Sequence, residues 1–176
     1  IEISSSLNHY SGHPGFPEEE PDDKTLASLV SPVNFDPSMG KTIGTHNGAH
    51  FFTIGQRKGI NIGGYREPLF VIATDVERNI LYVGEGQSHP GLYRKGLMVL
   101  RDEAHWIRPD LTMKDGECRE YMVRIRYRQP LQKAKIYCRK EGLFIIFSKL
   151  QRGIAPGQFA AWYDGDEVIG SGAINN

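Results

Sequence analysis

Gly55 and Gly59 bracket Gln56, Arg57 and Lys58, three long polar side chains at the tip of a glycine-rich turn. Glycines there let a backbone approach a ligand closely, and the side chains between them can meet anionic groups. No acidic residue lies between Gly44 and Tyr65, so these cations have no local partner in sequence. The spacing is not that of a phosphate-cradling P-loop, which needs Gly-x4-Gly-Lys-Ser/Thr. The alternative is a solvated hairpin turn.

A second cluster of charge runs from Arg119 to Arg128. Read as a strand, it places Tyr121, Val123, Ile125 and Tyr127 on one face and Arg124, Arg126 and Arg128 on the other. Same-face neighbours on a strand stand about 6.8 Å apart, a spacing that suits a row of phosphates, and arginine's planar fork suits phosphate oxygens. The competing reading is an exposed barrel face with solvated charges. A third feature is Gln151-Arg152-Gly153-Ile154-Ala155-Pro156-Gly157-Gln158. Pro156-Gly157 fits a type II turn, with glycine supplying the positive φ. Gln158 then opens a strand with an amide able to read a base edge or a ribose; the competing reading, a turn with a polar flank, is the one the local signal favours by itself.

Other reactive types are weakly placed. His46 and His50 have the helical spacing of two metal ligands, but the segment reads as turn then strand and no third ligand lies near, so no metal site is expected. His105 beside Trp106 reads as a packed histidine. Cys118 and Cys138 form no disulfide framework and no Cys-x-x-Cys motif, and neither has a His or Asp neighbour that would make it a nucleophile. No catalytic residue is assigned. The residues point to a binding module.

The elements that must position these groups are mostly strands. The chain has 176 residues, enough for one domain or two small ones. Residues 1–40 hold five of the ten prolines between Pro14 and Pro37 and read as a linker or poorly structured segment, with a helical turn or two near Lys24–Leu29. After Gly40 the pattern turns β. Ala49–Ile54, Leu69–Asp75 and Ile80–Glu85 read as strands of a small central domain over 41–96, with a turn at Glu77-Arg78-Asn79. Over 97–176, Leu97–Arg101, His105–Ile107, Tyr121–Tyr127, Ala134–Arg139, Leu143–Phe147, Phe159–Tyr163 and Val168–Ala173 predict a C-terminal antiparallel β-barrel. The fold class is therefore mainly β.

Charge narrows the partners. The chain balances 21 basic against 21 acidic residues, so its net charge says nothing of a polyanion. The distribution does: Arg119–Lys140 holds eight Lys/Arg and one acid, whereas Pro17–Asp23 holds five carboxylates. A basic stripe inside a neutral chain is the electrostatic footprint expected for a polyanion. No run is long enough to span a membrane, and no basic-then-apolar segment opens the chain, so cytoplasmic residence is the expectation. The chain does not start with methionine and is expected to be part of a longer one.

Taken together, the motifs resemble the tRNA-specific 2-thiouridylase family. The resemblance rests on Gly44-x-His46-x-Gly48, the run Phe52–Gly64, Pro68-Leu69-Phe70-Val71 with Asp75 and Asn79, and Arg126-Tyr127-Arg128-Gln129. Ala155-Pro156-Gly157-Gln158, Tyr163-Asp164-Gly165 and Gly170-x-Gly172 complete it over about residues 40–176. It implies sulfur transfer to position 2 of the wobble uridine in tRNA. In that family an N-terminal ATP-pyrophosphatase domain, using ATP with Mg, adenylates the uridine, and a cysteine persulfide charged by a sulfur-carrier protein delivers sulfur. This chain holds neither the Ser-Gly-Gly-x-Asp-Ser loop nor the cysteine pair of that domain. No cofactor is expected in it, and alone it is expected to be inactive. The resemblance further implies a barrel similar to the second domain of elongation factor Tu. It makes Gln56, Arg57, Lys58, Arg126, Tyr127, Arg128 and Gln158 the RNA contacts. The alternatives are a translation-factor-like barrel or a protein-interaction module with no part in modification.

Overall fold

The structure is a computed structural model, and it describes residues 1–6 and 15–175. The described chain falls into two units, residues 1–6 with Val33–Tyr93, and residues 15–32 with 94–175.

The first unit is built on a hairpin. β3 (Leu69–Asp75) and β4 (Ile80–Glu85) pair antiparallel, from Leu69 opposite Glu85 to Asp75 opposite Ile80. Asn79 takes the turn at φ +53, a conformation asparagine tolerates. The Asp75 carboxylate accepts from the Arg78 amide at 2.8 Å. Two short strands, β1 (Glu2–Ile3) and β2 (Gly40–Lys41), extend the sheet to the order β2-β1-β4-β3, with β1 parallel to β4. Both faces are covered, which explains the unbroken apolar runs of β3 and β4. Phe70, Ile72 and Tyr82 pack with Ile3, Phe35 and Leu92. Leu69, Val71, Leu81 and Val83 lie under Ile43, Phe52, Ile60, Ile62 and Tyr65.

The second unit is a curled sheet of seven strands: β5 (Tyr93–Leu100), β6 (Ala104–Trp106), β7 (Cys118–Arg124), β8 (Gln132–Cys138), β9 (Gly142–Arg152), β10 (Phe159–Asp164) and β11 (Glu167–Ala173). Their order is β5-β9-β8-β7-β10-β11-β6. The pairs β7–β8, β8–β9, β7–β10, β10–β11 and β11–β6 are antiparallel. The curl brings the chain beyond β11 back to β5, where the Asn175 amide donates to the Met98 carbonyl at 2.9 Å. Inside lie Val99, Val123, Ile136, Ile145, Phe147, Trp162 and Ile169. Alternation along β9 sends Phe144 and Ile146 outward, where Leu26, Leu29 and Val30 of α1 (Asp23–Val30) cover them. A mainly β chain of two β units is what the sequence patterns predict.

Three local expectations give way. Ala49–Ile54 is not a strand. Gly48 at φ +149 turns the chain, and Ala49–Phe51 is a single 3-10 turn whose Ala49 amide is capped by the Asn79 side chain at 2.8 Å. β-propensity loses there to a specific side-chain acceptor. The Arg119–Arg128 strand ends at Arg124. The described residues among the first forty are also more than a linker. Ile3, Leu26, Leu29, Val30 and Phe35 are all buried, because an i, i+3, i+4 apolar stripe suffices to seat a short helix on a sheet.

Candidate nucleic-acid interface

β7 and β8 are joined by a turn that carries Arg126, Tyr127 and Arg128. The Gln129 amide donates back to the Arg126 carbonyl at 3.0 Å. Gln129 Oε1 accepts from the Ile125 amide at 3.3 Å, and its Nε2 donates to Gln151 Oε1 at 2.7 Å. Gln151, buried at the end of β9, passes the connection to the Lys149 carbonyl at 2.9 Å. The Arg126 guanidinium donates to the Gly153 carbonyl at 2.8 Å. Gly153 sits at φ +69, which favours glycine, and a Cβ there would lie 2.3 Å from that guanidinium and displace it. The turn is thus stapled to the end of β9. Tyr127 stands 89% exposed upon it.

The second turn follows β9. Gly157 takes φ +78, and its amide donates to the Ile174 carbonyl at 2.8 Å. The Ile174 amide in turn donates to the Gln158 carbonyl at 2.7 Å. That exchange fixes the Gln158 backbone, but its side-chain Oε1 is out of solvent and has no partner among the described residues. An acceptor left so is costly. Phe159 beside it is 65% exposed.

The row of three arginines on one strand face does not form. Arg124 is on β7, its guanidinium 4.9 Å from the Tyr163 ring centroid and donating to the Tyr127 carbonyl. Arg126 and Arg128 are in the turn. Three of the eight cations of the wider basic stripe are held in ion pairs. Arg119 pairs with Glu117 at 2.7 Å, Lys133 with Glu120 at 3.0 Å, and Arg139 with Glu20 and Asp23 at 3.3 and 2.9 Å. Lys135 lies 5.0 Å from the Phe16 ring centroid. Arg128 is exposed and makes no ion pair or hydrogen bond among the described residues.

In the first unit, the Gly55–Gly59 turn is anchored to β3 by the Gly55 amide to the Val71 carbonyl at 2.8 Å and the Val71 amide to the Gln56 carbonyl at 2.9 Å. Gln56 spends its side chain inside the loop. Oε1 accepts from the Thr53 amide at 3.1 Å and Nε2 donates to the Lys58 carbonyl at 2.7 Å. It shapes the turn, and Arg57 and Lys58 are left pointing a charge at solvent. His46 and His50 are engaged locally, His46 accepting from the Gly48 amide at 3.1 Å and His50 stacking on Phe51 at 4.0 Å. The roles of Gln129, Gln151 and Gly153 carry no signal of their own in the sequence, because they depend on contacts 22 and 27 residues away.

Comparison with known proteins defines the class. Residues 33–85 match the family model described as the tRNA methyl transferase PRC-barrel domain, and residues 97–174 the one described as the aminomethyltransferase β-barrel domain. The chain is therefore a PRC-barrel domain followed by a β-barrel domain. It is 53% identical over 143 residues to the tRNA-specific 2-thiouridylase MnmA of Flavobacterium johnsoniae, covering 81% of this chain and 36% of that one. Against the same enzyme of Christiangramia forsetii it is 49% identical over 150 residues, 85% of this chain and 38% of that one. Against that of Halalkalibacterium halodurans it is 44% identical over 138 residues, 78% and 36%. This chain belongs to the tRNA-specific 2-thiouridylase family, as its central and C-terminal domains. It spans a little over a third of the length of these relatives.

Proposed function

We propose that this chain is the tRNA-holding portion of a 2-thiouridylase, acting in the cytoplasm on the wobble uridine. The observation that carries it is the stapled Arg126–Arg128 turn, presenting an exposed aromatic and an unpaired cation. It occurs in a chain about half identical to enzymes named for acting on tRNA. A rigid exposed tyrosine suits stacking on an unpaired base. Arg128 suits a phosphate. Gln158 Oε1 suits a base or ribose donor. ATP with Mg, and the partner that carries sulfur, belong in this reading to a catalytic domain outside these residues. The chain by itself has no thiolation activity.

A salt titration of tRNA binding tests the reading, with one tRNA carrying the wobble uridine and one without it. Each engaged cation contributes about −0.7 to −0.9 to the slope of log affinity against log salt. Arg128→Ala and Arg126→Ala are expected to weaken both tRNAs and flatten the slope. Gln158→Ala is expected to leave the slope unchanged and to cost about 1–3 kcal/mol at one nucleotide. Wild-type slopes in both arginine variants would leave the turn a solvated barrel end and favour a protein-interaction module.

A further inference from the structure

β8 carries a row of cations outside the contacts assigned above. Ala134, Ile136 and Cys138 face the core, so alternation turns Lys133, Lys135 and Tyr137 outward, and Arg139 follows at the turn into β9. Same-face neighbours on a strand stand about 6.8 Å apart, a spacing that suits successive phosphates. The stretch of chain ahead of α1 lies over this row. Residues 15–22 are neither helix nor strand and carry Glu18, Glu19, Glu20 and Asp22. The Phe16 ring centroid is 5.0 Å from the Lys135 ammonium and 6.0 Å from that of Lys133. Glu20, with Asp23 at the start of α1, holds Arg139 at 3.3 and 2.9 Å, and the Arg139 side chain is only 12% exposed.

This segment is anchored at one end and weakly held along its length. The anchor is α1, whose Leu26, Leu29 and Val30 are buried against β9. The Glu20 and Asp23 side chains are 64% and 74% exposed, and ion pairs made with exposed carboxylates are weak and screened by salt. At the other end the Gly15 carbonyl accepts from the buried ammonium of Lys95 on β5. The Ser148 carbonyl is a second acceptor at 3.4 Å, and no carboxylate among the described residues pairs with Lys95. Burial lowers its pKa below the usual lysine value, and a buried ammonium without a counter-charge is costly. Lifting the segment would return Lys95 to water. Carboxylates thus occupy places where phosphates would sit, under a contact that is easily released.

We propose that residues 15–23 are an autoinhibitory strap, an internal polyanion that covers Lys135 and Arg139 and that RNA must displace to reach them. The proposal rests on the tRNA reading above and adds a competitor built into the same chain. The test is tRNA binding by this chain as a function of salt. The variants are Phe16→Ala, and Glu20→Gln combined with Asp23→Asn. Each is made on the wild-type background and on one carrying Lys135→Gln and Arg139→Gln, with Arg128→Ala alongside and a thermal melt of every protein. Phe16→Ala changes no charge, and it is expected to raise affinity several-fold and to steepen the slope by about 0.7–0.9 for each cation uncovered. Neutralising Glu20 and Asp23 is expected to do the same. On the background without the two cations, the gain from Phe16→Ala is expected to vanish. Wild-type affinity and slope in Phe16→Ala, or an equal gain on both backgrounds, would overturn the strap, and with Arg128→Ala still impaired the tRNA reading would stand. If Arg128→Ala and the strap variants all match wild type, both readings fall.

Discussion

Arg126 and Arg128 are two positions apart, but they differ in what they can give a ligand. Arg126 is committed to the Gly153 carbonyl, and burial together with the charge of Arg152 pulls its pKa below the usual arginine value. It remains charged, and its loss would loosen the turn as well as remove a cation. Arg128 has no such duty. The thiols sort in a similar way. Burial pushes the pKa of both Cys118 and Cys138 up, and Cys138 sits 3.6 Å from the Met113 carbonyl in the core. The thiolate is the reactive form, and the upward shifts disfavour it at both positions. Tyr137, beside Cys118, is likewise pushed up to about 12 by burial. Replacing Cys118 by Ser is expected to leave tRNA affinity unchanged, measured in the same titration. A fall in affinity would mean that the thiol lies in the RNA surface.

At the scale of elements, the strands that packing makes obligatory were legible. Leu69–Asp75 and Ile80–Glu85 stand where apolar runs and the Asn79 turn place them, because both faces are covered and any polar residue would be costly. What composition hid was the packing of the described residues among the first forty. Their prolines suggest a linker, yet Leu26 is fully buried against β9. Nor could alternation alone show that the arginine strand stops at Arg124, since the turn is held by Gln151 and Gly153 from another strand. α1 supplies a test. Leu26→Ala is expected to destabilise the second unit by about 2–5 kcal/mol in a denaturant melt; a loss near zero would return the segment to linker status. Gly142→Ala should also destabilise, because its Cβ would meet the Val99 carbonyl at 2.2 Å. The helix start adds a pH dependence. The Asp22 carboxylate, hydrogen-bonded to Thr25, has its pKa held below the ordinary 3.8. Its contribution is present above that value and lost as pH falls through the lowered one. Asp22→Asn should therefore narrow the stability gap between neutral and acid pH.

The whole molecule combines a net charge of zero with local regions of unpaired positive charge, so what it binds is set by placement and not by total. Such a distribution suits the proposed role of holding a polyanion. Adenylating a uridine oxygen requires a loop whose amides cradle ATP phosphates while the oxygen attacks and pyrophosphate leaves. No Ser-Gly-Gly-x-Asp-Ser sequence occurs in this chain. Delivering sulfur requires a thiolate that can carry a persulfide, and desolvation pushes the thiol pKa up at both the exposed Cys118 and the buried Cys138. This chain, incubated with ATP, Mg, a sulfide source and unmodified tRNA, is therefore expected to give no 2-thiouridine and no ATP hydrolysis above a protein-free control, while still shifting that tRNA in a binding assay at low salt. Product without an added catalytic domain would place the chemistry in residues read here as holding RNA, and Cys118 would be the first sulfur to suspect. Binding without product is the outcome that separates holding from catalysis.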